Sequence, residues 1–248
     1  MSYRAPVTEY QFLFDHVVGL DQVSATERFG EATRDVTAAI LTEAGRMCEE
    51  VMAPLQRAGD EHPAVLENGV VRCSPGYVDG YRAIAEGGWI SIAASPEYGG
   101  MGLPMAVTTA VNEMMSAACL SLQLCPLMTQ GQIEALEHHA SDEIKRMYLP
   151  KLISGAWCGT MNLTEPQAGT DLAGIKSRAV PNGDHFLITG QKIYITYGEH
   201  DMAENIVHLV LARTPNAPEG MKGISVFICL LYTSDAADDS LRVDLGGR

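Results

Sequence analysis

The chain has 248 residues, 46% of them hydrophobic and 19% charged, enough for one large or two small domains with a substantial buried core. Its formal net charge of −14, with no Lys/Arg cluster to interrupt the acidity, excludes a phosphate-neutralising nucleic-acid surface and requires any anionic ligand to find locally placed donors. Six cysteines (Cys48, Cys73, Cys119, Cys125, Cys158, Cys229) lie without a C-x-x-C pair. No basic-plus-apolar leader precedes them and no run of about 18 apolar residues exists, so the expectation is a reduced, cytoplasmic chain with no membrane span.

In chain order, the first 150 or so residues predict helices. Tyr10–Gly19 opens the series. Val36, Ile40, Ala44, Met47 and Val51 then share one face, Arg34, Asp35, Glu43, Glu49 and Glu50 supply polar positions, and Pro54 is expected to close this amphipathic helix. Tyr77–Glu86, Pro104–Ala118, Met128–His139 and Asp142–Ile153 follow, the last behind a Ser141 cap. Between them, Ser95–Leu103 (SPEYGGMGL) holds three glycines and a proline that forbid regular structure. Met114-Met115 and the Met/Leu-rich stretch 120–128 read as core packing.

Beyond Gly155 the period changes to two. Trp157–Leu163, Lys176–Val180, His185–Thr189, Lys192–Thr196, Asn205–Arg213 and Gly223–Ile228 predict short strands, with Pro181-Asn182-Gly183-Asp184 as a hairpin turn. The expected architecture is α+β: an N-terminal all-α domain over 1–156, then an incomplete β-barrel-like domain over 157–228. Residues 229–248 (CLLYTSDAADDSLRVDLGGR) do not fit what precedes them. They read as the in-frame translation of a sequencing-library adapter, the alternative being a genuine acidic C-terminal segment. Without its four Asp and two Arg the body carries −12.

Two segments carry the chemistry: Met161–Gly174 (MNLTEPQAGTDLAG) and Gly190–Gly198 (GQKIYITYG). Taken singly, a Thr-Glu-Pro run and a Gly-Thr-Asp run are turns with self-bonded side chains, and Tyr194 and Thr196 are β-formers on a pleated face. Taken together, in this order and at the helix-to-strand transition, they resemble the acyl-CoA dehydrogenase family. The Ser95–Leu103 loop after Gly87-Gly88-Trp89 adds to the resemblance, which covers Met1–Ile228. Tyr3–Val7, Gly159–Leu163 and Ile195–Met202, with Met161 and Tyr194 where ordinary members carry an aromatic residue and Trp, point to the branch of 3-methylmercaptopropionyl-CoA dehydrogenase-like enzymes.

The resemblance implies FAD and α,β-dehydrogenation of an acyl-CoA, with hydride moving to flavin N5 and electrons passing to an electron-transfer flavoprotein. It implies cofactor-binding roles for seven residues. Thr164 serves the flavin pyrimidine side and Thr196 the region of N5. Met161 and Leu163 line the ring, Tyr194 packs beside it, and Gly169 and Thr170 approach the pyrophosphate. A flavin edge, rich in acceptors with one donor at N3, calls for such hydroxyls and backbone N–H groups. The resemblance also implies a homo-oligomer at full length, and a catalytic Glu in a C-terminal helical domain that this chain lacks, so the chain as given is an inactive fragment. A non-enzymatic flavin-fold relative and an acyl-CoA oxidase stay as alternatives. Glu165 precedes Pro in the cofactor loop and is read as a backbone organiser, with Pro166 and Asp171 shaping the same loop. His138-His139 is read as solvated or capping rather than metal-binding, and Glu199-His200-Asp201 as a loop in weak substrate or subunit contact.

Overall fold

A computed structural model describes residues 3–231 and 240–241. Helix α1 (Val7–Leu13) widens into a π turn, Phe14–Val18, and stops at Gly19, whose φ of 66° a side chain would resist. A short α2 (Leu20–Ser24) leads to α3 (Arg34–Met47), capped by the Thr33 hydroxyl accepting from the Val36 N–H. Pro54 does not end this helix. The chain passes through a second π turn, Cys48–Met52, into α4 (Ala53–Glu61), with Pro54 in the first turn of α4. The wider turn moves the preceding carbonyl away from the proline ring and absorbs the missing N–H. The buried stripe is also rotated from the expected one. Leu41, Ala44, Met47, Cys48 and Met52 face inward, whereas Val36 is exposed.

A hairpin that the sequence reading did not anticipate follows, β1 (Val65–Glu67) against β2 (Val70–Arg72). Asn68 and Gly69 turn it at φ 52° and 83°, the pair of left-handed residues a type I′ turn needs. Helix α5 spans Tyr77–Glu86 as expected. The 95–103 loop contains a single 3-10 turn at Pro96–Tyr98, capped by Ser95.

Helix α6 (Met105–His139) is broken at Cys119, whose backbone (φ −157°, ψ 87°) is not helical. Asn112 Nδ2 donates to Gln130 Oε1 at 2.7 Å. Eighteen residues of straight helix would separate them by about 27 Å, so the chain reverses at the break and the two halves pack side by side. The expected helices Pro104–Ala118 and Met128–His139 lie within these halves, and the stretch 120–127 joins the second half rather than forming a connection. Helix α7 (Asp142–Ile153) starts behind Ser141, whose hydroxyl accepts from Ile144 N–H. Leu41, Met52, Ile84, Met114, Met115, Leu122, Leu136 and Leu149 form the fully buried centre of this half.

The second half holds β3 (Trp157–Asn162), β4 (Arg178–Asn182), β5 (His185–Thr189), β6 (Asn205–Ala212), β7 (Ser225–Leu230) and β8 (Ser240–Leu241). They make two three-stranded sheets, β3-β6-β7 and β4-β5-β8, stitched by Ala179 N–H to Arg213 O and Arg213 N–H to Ser177 O. The sheets do not close. β3 and β6 are parallel, β6 and β7 antiparallel, and every residue of β6 is buried. Gly183, at φ 67°, opens the two-residue turn of the expected β4–β5 hairpin. The second half of α6 lies on β3, Gly159 N–H donating to Thr129 Oγ1 at 3.0 Å. Of 229–248, only 229–231 and 240–241 are described; the remainder of the expected tail lies outside the described residues. Among the described residues no helix is long and apolar enough to cross a membrane.

Candidate cofactor-binding surface

Residues Met161–Gly174 leave the end of β3 as a loop, and Gly190–Gly198 return from the end of β5 to meet it. Lys192–Thr196 was expected to be a strand, but no strand forms there. Its contact with the first segment consists of three bonds rather than a ladder. Ile193 N–H donates to Thr164 O at 2.9 Å. Lys192 Nζ donates to Leu163 O at 3.0 Å and to Glu165 Oε1 at 2.8 Å. Tyr194 (φ 58°) and Tyr197 (φ 53°) then take left-handed backbone conformations incompatible with a pleated strand. Each costs about 1–2 kcal/mol, which surrounding contacts must offset. One such contact is Tyr197 Oη donating to Ser121 O at 2.6 Å.

Glu165 is the hub of the loop. Its side chain is 3% exposed and that of Lys192 10%. It accepts from Lys192 Nζ, from the N–H groups of Lys176 (2.6 Å) and Ser177 (3.0 Å), and from Gln167 Nε2 (2.6 Å). Burial alone would push this carboxyl up, but the bonds from Lys192 and the two N–H groups outweigh it and hold the group at about 2. Glu165 is therefore an ionised organiser of backbone, with no lone pair left for proton transfer. Asp171 likewise caps its own turn, accepting from Ala173 N–H at 2.9 Å. Arg213, which the sequence reading did not single out as a site residue, clamps the far end of the loop by donating to the carbonyls of Ile175, Ala173 and Gly220. Gly190 makes the return possible, since a Cβ there would lie 2.1 Å from Ser177 Oγ.

The seven candidate residues differ in exposure. Met161 and Tyr194 are exposed, Tyr194 to 90%, while Leu163, Thr164 and Thr196 are half-buried. Gly169 returns to Thr164, a Cβ on it reaching Thr164 Cγ2 at 3.4 Å. Thr170, the seventh, is exposed on the outer loop. The bonds joining the two segments run through Lys192 and Ile193. Lys192 is the partner of Glu165 that the sequence reading missed, although it is the one basic residue in either segment and Glu165 one of two acids. Beneath the surface, Thr160 Oγ1 meets His208 Nδ1 at 2.5 Å, and burial, with the nearby His200, pushes His208 down to about 4. The trio Glu199-His200-Asp201 is a loop, as expected, with His200 buried and Asp201 accepting from Cys73 N–H at 3.0 Å.

The donor set fits a flavin. Among the described residues neither the Thr164 nor the Thr196 hydroxyl has a protein partner, and an exposed aromatic ring stands between them in sequence.

A family model described as acyl-CoA dehydrogenase, N-terminal domain, matches residues 34–156, and one described as acyl-CoA dehydrogenase, middle domain, matches residues 160–238. The 3-methylmercaptopropionyl-CoA dehydrogenase of Ruegeria pomeroyi is 48% identical over 248 residues, covering 99% of this chain and 42% of that protein. The structure of butyryl-CoA dehydrogenase from Megasphaera elsdenii shares the fold at a TM-score of 0.64 and 20% identity, over 81% of this chain and 49% of that one. The structure titled PigA with FAD and proline does so at 0.66 and 23%, over 80% and 49%. The chain thus spans less than half the length of each. With both of its halves matched in order, the chain belongs to the acyl-CoA dehydrogenase family, of which it carries the N-terminal and middle domains.

Proposed function

We propose that this chain forms the flavin-binding part of an FAD-dependent acyl-CoA dehydrogenase, acting on an acyl-CoA thioester at its α and β carbons. The observation that carries this reading is the pair of segments locked by Glu165 and Lys192, with the Thr164 and Thr196 hydroxyls lacking a protein partner among the described residues and the Tyr194 ring exposed. FAD, when bound, supplies the acceptor for the substrate's β-hydrogen, and an electron-transfer flavoprotein takes the electrons onward. The chain's own residues bind and orient. Thr164 donates to the pyrimidine edge and Thr196 near N5, Tyr194 packs beside the ring, and Met161 and Leu163 line it. Gly169 gives close approach to the pyrophosphate and Thr170 a hydroxyl to it. Glu165, with its acceptor positions filled, does not serve as the base that removes the α-proton. That role falls to a Glu in a C-terminal helical domain, and the complete enzyme is a cytoplasmic homo-oligomer. The working boundaries are 1–156 for the helical domain and 157–228 for the flavin-binding domain, with 229–248 adapter-derived.

Titrating the 248-residue chain with FAD and following flavin fluorescence tests the reading. Saturable binding is expected. Thr164→Ala and Thr196→Ala should each weaken it about 2- to 12-fold, the worth of one hydrogen bond. Native affinity in both Thr variants would remove these hydroxyls from the site.

A further inference from the structure

Four residues distant in sequence meet at the start of β3. Cys125, on the second half of α6, places its Sγ 3.4 Å from Cys158 Sγ on β3. Cys158 Sγ is 3.1 Å from Tyr81 Oη on α5, and Cys125 Sγ is 4.0 Å from His200 Nε2. Both sulfurs are fully buried and His200 nearly so. Three ligand-type atoms this close could suggest a thiolate metal site. The ring of His200 argues against it. Met202 N–H donates to Nδ1 at 3.1 Å, so the neutral ring carries its proton on Nε2, the atom facing the sulfurs. A metal-bound imidazole needs the reverse arrangement, its far nitrogen donating.

We propose that Cys125 and Cys158 are a peroxide-sensitive dithiol, closing to a disulfide that staples α6 to β3. The two sulfurs already touch, and reaching the bonded separation requires an approach of about 1.4 Å. The partners are unequal. The hydrogen bond from Cys125 pulls the Cys158 thiol down in spite of its burial, with His200 adding to the effect, while burial pushes Cys125 up. Cys158 is therefore the nucleophile and Cys125 the resolving thiol, and because both are buried, peroxide reaches them through local opening of the contact between α6 and β3. In the first step the Cys158 thiolate attacks one oxygen of hydrogen peroxide. An S–O bond forms, the O–O bond breaks, and the departing hydroxide takes up the proton that Cys158 released. In the second step Cys125 sulfur attacks the sulfenic sulfur, an S–S bond forms, and the hydroxyl leaves with the Cys125 proton as water. Two thiols and one peroxide give one disulfide and two waters. Elsewhere, burial pushes the Cys48 and Cys73 thiols up to about 12, which keeps them protonated and slow.

The test treats the folded 248-residue chain with hydrogen peroxide at neutral pH, quenches with catalase, and alkylates in denaturant before peptide mapping. The expected result is loss of two of the six thiols, with a dithiothreitol-reversible peptide pair joining Cys125 to Cys158. In Cys125→Ser the expected product is a sulfenic acid at Cys158, trapped by dimedone. Mapping of the unsubstituted chain decides the matter if that variant fails to fold. Six surviving thiols, a disulfide between other cysteines, or thiols shielded by a stoichiometric zinc that a chelator removes would each overturn the proposal.

Discussion

Removing Lys192 leaves the Glu165 carboxylate buried with its N–H donors but without its counter-charge. Lys192→Met should therefore cost about 3–5 kcal/mol in urea unfolding, and the double variant with Glu165→Gln clearly less than the two single costs added, because breaking a buried pair is worse than deleting it. The same residue sets an acid limit. Glu165 is held at about 2 in the fold against an ordinary 4.5, so its contribution is full above pH 4.5 and is lost as pH falls toward 2. The size is about 3 kcal/mol. His208 acts over a higher window. It is held at about 4 against 6.5, so below pH 6.5 the unfolded chain takes up a proton that the folded one refuses, and stability falls down to about pH 4. Urea midpoints measured from pH 7 to pH 3 should therefore drop in two stages, with Glu165→Gln flattening the lower and His208→Gln the upper. At this scale the sequence announced Glu165 through its place before Pro166, but not its partner. Lys192 is 27 residues away, and no local pattern couples a loop carboxylate to a particular lysine.

Among the elements, α5 and α7 ended where caps and periodicity put them, because their stops are local. The two π turns were invisible, since an inserted residue blurs a 3.6 period without breaking it. The β1–β2 hairpin was missed despite its Asn68-Gly69 signal, its strands being three residues each and too short to show alternation. Residues 192–196 failed the other way. They alternate as a strand should, yet the Lys192 ion pair and two left-handed tyrosines impose a different path. Packing between α6 and β3 was equally out of reach of local pattern, and it makes a sharp prediction. A Cβ on Gly159 would lie 1.9 Å from Gln132 Oε1 and 3.0 Å from Gln132 Cβ. Gly159→Ala should cost about 1–3 kcal/mol and lower the thermal midpoint by roughly 3–9 °C, read by circular dichroism.

For the whole molecule, order along the chain was legible because helix and strand periods change once, at the boundary between the matched N-terminal and middle domains. The pairing of the strands was not. β3 and β6 lie parallel with Thr160 opposite His208, 48 residues later. On the proposed function, the 248-residue chain charged with FAD should not bleach when given an acyl-CoA, because the base belongs to a further helical domain. Bleaching in a stopped-flow record would contradict this.

That parallel pairing also orders events in time. Both segments of the proposed cofactor surface and the hairpin between them sit in one excursion of chain, closed only when β6 docks beside β3. Helices form from local contacts in microseconds, whereas closing a parallel pair must first overcome the entropy of the loop between its strands. Refolding should show the helical circular-dichroism signal first and the fluorescence of Trp157, isolated by Trp89→Phe, later. The surface proposed to hold FAD is then the last to take shape, so cofactor added during refolding should alter the slow phase and leave the fast one untouched.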